Sequence, residues 1–268
     1  MRKAILVVLG AATLSLTLAA TPPPTPRRSP SLPGTIVDLT HPFDADTIYW
    51  PTAGRFELES VAHGVTEKGY FYAANRFCAA EHGGTHLDAP IHFSEKGRAL
   101  DQVPIEQLLG IGVHVDVSSR AAQDRDYRVS VADLTAWEIR NGRIPEGAIV
   151  LLETGWSQRW SDRAAYLGTA LTGAEAVAEL HFPGLDPEAA QWLVGSRSIK
   201  AVGIDTASID YGQSKLFESH VILFKANLPA LENAAGLERL PAKNFVVAAL
   251  PMMIRGGSGG PLRIAAWW

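Results

Sequence analysis

The chain reads as an α/β protein with a mixed central sheet and flanking helices, and three observations predict that class. A helical stretch, Val131 to Arg140, runs into an apolar strand-like stretch, Ala148 to Thr154. The pattern then repeats, with a helix over Glu188–Val194 leading into a strand over Ile199–Ile204. Strand–helix–strand alternation of this kind layers helices on a sheet. The 268 residues are 47% hydrophobic, an ordinary globular share, and the length accommodates one large domain or two small ones. No internal repeat is present, so repeat architectures are excluded.

Residues 1–20 are expected to be a secretory signal. Arg2-Lys3 form the charged start, Ala4 to Leu18 the apolar run, and Ala19-Ala20 the small residues suited to cleavage. The alternative is an uncleaved N-terminal anchor. No Cys lies near residue 20, so a bacterial lipid anchor there has no attachment point. Residues 21–34 carry six of the seventeen prolines and are expected to be an extended tether. The domain proper is expected over 35–268. The expected location is exported, periplasmic or secreted, with no membrane contact after cleavage. The single cysteine, Cys78, forbids an internal disulfide. It is expected to be buried and inert.

Thr35 to His41 is expected as a strand ending in a polar turn, with His41 structural. Trp50 beside Pro51 suits either core packing or a flat, ring-bearing ligand. Phe71 to Phe77 reads as a strand, Val103 to Leu109 as a short helix or turn, and Gly112 to Val117 as a strand. His114 and Asp116 are expected on a half-exposed face of that last strand. Ser130 is placed to cap the following helix with Asp133 at its third position, and Asn141-Gly142 ends it. Residues 156–180, with Trp160 and Tyr166, are expected as loop. Asp186, Pro187 and Glu188 form the capped start of the next helix.

The net charge is −4 with scattered signs. No basic stripe is present, so nucleic acid is not an expected partner. Gly256-Gly257-Ser258-Gly259-Gly260 satisfies G-x-S-x-G, but a nucleophile elbow turns from strand into helix. Here Pro261 to Ile264 reads as turn then strand, and no histidine follows Ser258. A loop close to the pocket, mobile or packed tightly by its backbone, is expected instead.

The chemistry concentrates in Glu81 to Phe93, where His82, His86 and His92 put three of the eight histidines into eleven residues. Gly83-Gly84 and Pro90 argue against a helix. In extended chain His82, His86, Asp88 and His92 share one parity. A straight run from His82 to His92 would span roughly 33 Å, so the chain must fold back for them to converge. Imidazole and carboxylate donors without thiolate suit a divalent ion such as zinc, manganese, iron or nickel. Two imidazoles and a carboxylate leave positions open on the ion, the pattern of a site that acidifies water. His92 is the candidate general base.

The stretch His82-Gly83-Gly84-Thr85-His86-Leu87-Asp88-Ala89-Pro90-Ile91-His92 resembles the H-x-G-T-H-x-D-x-P-x-H signature of the metal-dependent cyclase family, at every fixed position. That family includes bacterial kynurenine formamidases and isatin hydrolases. Asp38-Leu39-Thr40-His41 is similar to its common opening, and Trp50-Pro51 to its pocket-lining segment. Gly203-Ile204-Asp205-Thr206-Ala207-Ser208-Ile209-Asp210 is similar to its G-I-D-T-x-S-I-D. His220 with Leu223, followed by Glu232-Asn233, resembles its distal half.

The resemblance implies a single domain of the swivelling β/β/α type, dimeric or tetrameric. It implies metal ligands His82, His86, Asp88, His220 and Glu232, with His92 as acid/base. One or two Zn2+ ions or Mn2+ are implied as cofactor, with Asp88 suited to bridging two. Trp50 and Phe93 are expected at the substrate. Asp205 is expected either to orient a ligating histidine or to form an Asx turn. The implied reaction is hydrolysis of an amide C–N bond in a small aromatic amide. N-formylkynurenine is the first expected substrate and a cyclic amide such as isatin the second. A non-catalytic periplasmic binding protein is the reading from another class.

Overall fold

A computed structural model describes residues 34–268. The expected signal peptide and the tether up to residue 33 lie outside the described residues. The chain opens with β1 (Ile36–Asp38) and then a hairpin, β2 (Glu57–Val65) and β3 (Phe71–Cys78). Next come β4 (His86–Asp88) and β5 (Leu109–Asp116). A short helix α1 (Ser118–Ala121), β6 (Arg128–Val129), α2 (Val131–Asn141) and β7 (Ala148–Glu153) follow. Then come α3 (Arg163–Leu167), β8 (Gly184–Leu185), α4 (Pro187–Arg197) and β9 (Ala201–Ile204). The chain closes with α5 (Glu218–Lys225), β10 (Ala230–Glu232), β11 (Phe245–Pro251) and β12 (Gly259–Trp267).

The main sheet runs β1-β12-β11-β5-β7-β9-β10-β4, and β4 also pairs with β12. The mixed sheet expected from the alternation is therefore present, and it closes on itself at β4. Strands β5, β7, β9 and β10 are parallel, while β11, β12 and β4 run antiparallel to their neighbours. All six residues of β7 are buried, as in a parallel strand covered on both faces. Val150 and Leu152 pack outward with Leu134, Trp137 and Leu193 of the helices. Ile149 and Leu151 pack inward with Leu87, Leu231 and Val247. Each such side chain contributes roughly 1.5–3 kcal/mol by leaving water.

The expected helix ends are present. Ser130 Oγ accepts from Asp133 N at 3.3 Å, and Ser130 N donates to Asp133 Oδ2 at 2.8 Å. Asp186 Oδ1 accepts from Glu188 N at 2.9 Å at the start of α4. His41 is structural as expected: it is buried, and its ring stacks on Trp160 with centroids 4.0 Å apart.

Three expectations are corrected. Cys78 is exposed, because β2 and β3 pair with each other and not with the main sheet. His114 is buried and lies 2.7 Å from Glu153 Oε2. The His114 ring is enclosed by Glu153 on one nitrogen and the Leu240 carbonyl on the other, and of the pair only Asp116, at the strand's end, is exposed. Residues 156–180 are not plain loop. They form short helical turns, and Trp156, Tyr166, Leu167 and Leu180 bury themselves with Ile48 and Phe182 in a third apolar cluster. Local polarity hid this: Trp160 and Tyr166 pack edge to face with centroids 5.2 Å apart, but the apolar partners that complete the cluster, Ile48 and Phe182, lie outside the segment.

Candidate metal centre

The site sits where the sheet closes. Strand β4 carries His86 and Asp88, and its register places His86 opposite Glu232 and Asp88 opposite Ala230 of β10. On its other edge β4 faces Gly259 to Pro261 of β12. Before β4 the chain turns through Gly84, which sits in the left-handed region at φ +59°. A side chain on Gly84 would run into the Phe43 ring. After β4, Pro90 opens a single 3-10 turn over Pro90–His92, with His92 N donating to Ala89 O at 2.9 Å. This is the fold-back that convergence demanded.

All five expected ligands meet. Asp88 Oδ1 lies 2.7 Å from His82 Nδ1 and 3.0 Å from His86 Nε2. Its other oxygen, Oδ2, lies 3.2 Å from His220 Nε2. Glu232 Oε1 is 3.0 Å from His220 Nε2, and Oε2 is 3.4 Å from His86 Nε2. Two overlapping ligand groups result, His82–His86–Asp88 and Asp88–His220–Glu232, each with donor atoms within 4.8 Å of one another. Asp88 belongs to both, which is the position of a bridging carboxylate. His86, Asp88, His220 and Glu232 are buried.

The ring tautomers suit an ion. His86 Nδ1 lies 2.9 Å from Gly84 O and donates to it, so Nε2 keeps its lone pair. That Nε2 is buried in the cluster, and among the described residues it makes no well-aligned hydrogen bond although Asp88 Oδ1 lies 3.0 Å away. His220 Nδ1 donates to Asp210 Oδ2 at 2.6 Å, which leaves its Nε2 free in the same way. A carboxylate behind a ligating imidazole fixes the ring and raises its basicity. The carboxylate that fixes the His220 ring is thus Asp210. Asp205 instead accepts from Thr154 N and Oγ1 and from Trp156 N, tying β9 to the end of β7. Asp210 lay in the quoted stretch, ten residues before His220, but nothing in that spacing favoured it over Asp205. Asn233 holds the loop from behind: its Nδ2 donates to Gly84 O at 2.7 Å, and its backbone carbonyl accepts from Thr85 Oγ1 at 2.7 Å.

The electrostatics call for positive charge. Burial works against a charged His86, yet the Asp88 carboxylate overrides it and lifts the pKa to about 9. At His220 burial is likewise outweighed, by Asp210, Asp88 and Glu232, and the pKa rises well above that of a free imidazole. Burial opposes ionisation of Asp88, but the neighbouring histidines hold it well below the carboxylate range. Burial and the Asp88 charge push Glu232 up. A cluster that draws protons onto two buried imidazoles is one in which a divalent cation replaces those protons. The residues fit a divalent ion: nitrogen and oxygen donors, no thiolate, one orphaned buried imidazole nitrogen, and carboxylates behind the ligands.

His92 stands at the edge of the cluster. Its ring stacks on His82 with centroids 3.8 Å apart, while the residue as a whole is exposed at the mouth of the pocket. Loss of water around the ring, with His82, His220 and His86 adding to it against Asp88, pushes its pKa down to about 4. The pocket above the cluster has a volume of about 300 Å³. Trp50, Phe93 and Phe217 supply its aromatic wall. Phe93 and Phe217 lie 5.1 Å apart, and Trp50 and Phe217 6.2 Å apart. Trp50 and Phe93 were expected there. Phe217 was not: it reaches the pocket by a left-handed backbone at φ +48° just before α5. The only local hint was its place three residues before His220.

The profile of the Cyclase family matches residues 37–211. Isatin hydrolase of Roseibium aggregatum is 32% identical over 206 residues, covering 74% of this chain and 76% of that protein. Kynurenine formamidase of Sphingopyxis alaskensis is 27% identical over 232 residues, covering 85% of this chain and 95% of the relative. Among solved structures, isatin hydrolase A from Ralstonia solanacearum superposes with a TM-score of 0.78 at 33% identity, covering 87% of this chain and 91% of that one.

Proposed function

The chain belongs to the Cyclase family, and from that premise we propose that it is a metal-dependent hydrolase cleaving the amide C–N bond of a small aryl-linked amide. The observation that carries this reading is the meeting of His82, His86 and Asp88 with His220 and Glu232 beneath an aromatic pocket. A divalent ion held by those five side chains would supply Lewis acidity, acidifying a water and polarising the scissile carbonyl.

The protein's own residues do the rest. Trp50, Phe93 and Phe217 clasp a flat ring and exclude water from one side of the amide. His92, kept neutral by its surroundings, has a lone pair with which to accept the proton of the attacking water. The same nitrogen then returns a proton to the leaving amine. Asp210 and Gly84 hold the two buried imidazoles so that neither can turn away.

N-formylkynurenine remains the first substrate in this reading. A cyclic amide is kept beside it because the 32%-identical relative is an isatin hydrolase. Purified protein, loaded separately with Zn2+ and Mn2+, should hydrolyse one of the two, with metal content of one or two ions per chain. Tight metal binding with no turnover of either compound or of related aryl amides would leave a binding protein instead. Export by residues 1–20 is part of the proposal and is checked by sequencing the mature N-terminus. So is self-association through the β2–β3 hairpin, whose two faces leave Leu58, Val61, Phe71, Tyr72 and Phe77 exposed. Sedimentation equilibrium reads it.

A further inference from the structure

His82 differs from the other two histidine ligands in what stands behind it. His86 is backed by a carbonyl and His220 by a carboxylate. His82 turns Nδ1 toward Asp88 and presents Nε2 to Ser258 Oγ at 2.9 Å. Ser258 Oγ in turn lies 2.6 Å from Glu81 Oε2, and the same carboxylate oxygen accepts from Ser258 N at 3.0 Å. The directions follow from donor inventory. A carboxylate only accepts, so the single Ser258 hydroxyl proton goes to Glu81. Ser258 Oγ must then accept from His82, so Nε2 carries a proton. Nδ1 faces Asp88 Oδ1 at 2.7 Å, a contact with an acceptor-only oxygen that a proton or a divalent ion must bridge.

We infer that Ser258 and Glu81 are positioning residues for the metal centre: a serine–glutamate clamp that fixes the tautomer and orientation of His82 and thereby sets how tightly the site holds its divalent ion. The inference rests on the reading of His82 as a ligand.

The surrounding loop has the shape of such a clamp. A Cβ on Gly259 would come within 2.6 Å of the His82 ring, and one on Gly257 within 2.8 Å of Glu81 Oε1. Both glycines are therefore required for Ser258 to reach between the two side chains. Ser258 O accepts from Ala89 N at 2.8 Å, so the clamp is also tied to the residue before Pro90. This accounts for the G-x-S-x-G pattern. Its serine sits on a tight, glycine-flanked turn, as a nucleophile's would, but its hydroxyl proton is committed to a carboxylate and its lone pair to an imidazole. The hydroxyl therefore orients a ligand and does not attack a carbonyl.

The test uses the full chain and the metal alone. Zn2+ and Mn2+ affinities are measured by competition with a chelator for wild type, Ser258→Ala, Ser258→Thr and Glu81→Gln, each checked for an unchanged metal-free melting transition. Ser258→Ala should weaken affinity by about 10- to 100-fold, the usual cost of losing a partner behind a ligand. Ser258→Thr, which keeps the hydroxyl, should recover most of it, and Glu81→Gln should fall between. In the Zn2+-loaded protein the His82 Nε2–H should exchange slowly with solvent in wild type and rapidly in Ser258→Ala, a readout that a merely structural role would not move. Wild-type affinity in both Ser258→Ala and Glu81→Gln overturns the clamp while leaving the hydrolase reading intact. A wild-type protein that binds neither ion overturns both. Should Ser258→Ala fail to fold, Glu81→Gln alone decides, because it keeps the shape of the side chain while removing its charge and turning one acceptor oxygen into an N–H donor.

Discussion

Between Glu57 and Asp88 the chain passes from an exposed element to a buried one, and the two are a useful pair. In the β2–β3 hairpin nearly every side chain meets solvent, including Leu58, Val61, Phe71, Tyr72 and Phe77. Eight residues after Cys78, in β4, His86, Leu87 and Asp88 are all buried. Composition alone would assign these environments the other way round. The difference lies in pairing: the hairpin strands bond only to each other, whereas β4 is clasped between β10 and β12. The carboxylates around β4 tolerate burial because imidazoles face them, three at Asp88 and two at Glu232 of β10.

Breaking the buried side should have the largest effect. His86→Ala should release metal and take hydrolysis to background, checked by metal analysis beside a rate assay. His92→Ala should retain metal while kcat falls by about 10²–10⁴, the usual worth of a positioned acid/base. Equal rates in this variant and wild type would remove the role assigned to His92.

Next in size is a pH effect set by His41, whose ordinary value of 6.5 is pushed down to about 4 by burial. The unfolded chain takes up this proton first. Stability is therefore complete above pH 6.5 and is lost as pH falls from there toward 4. The loss is on the order of 2 kcal/mol once the solvent still reaching the ring is allowed for. Replacing His41 with Phe, which keeps a ring against Trp160, should flatten that part of the stability–pH curve. Denaturant titrations at several pH values read the slope.

The smallest change is expected on the exposed side. Phe77→Ser should alter monomer stability by less than about 0.5 kcal/mol. A larger loss that depends on protein concentration would mean that the hairpin is covered by another copy.

Local pattern revealed much of this. The capping box at Ser130, the proline-led start of α4 and the unbroken apolar run of β7 are short-range features, and each is visible within a window of about ten residues. The donor set at 82–92 is visible for the same reason. His220 and Glu232 were less so: by residue type His220 looks like a helix-start or core histidine, and only similarity to a family paired it with the distant loop. Asp210, Phe217 and the exposure of Cys78 were not legible, because each depends on which strand lies beside which.

Sequence by itself determined the α/β class, the helix–strand alternation between Val131 and Ile204 and the donor types of the cluster, since hydrophobic periodicity, caps and donor chemistry are properties of neighbouring residues. Tertiary structure decided that the sheet closes at β4, that Asp210 and not Asp205 backs a ligand, and that Ser258 stands behind His82. The first and last of these depend on strand register between segments over a hundred residues apart. There a shift of one residue would turn His86 and Asp88 to the opposite face, and no local signal in the chain encodes it.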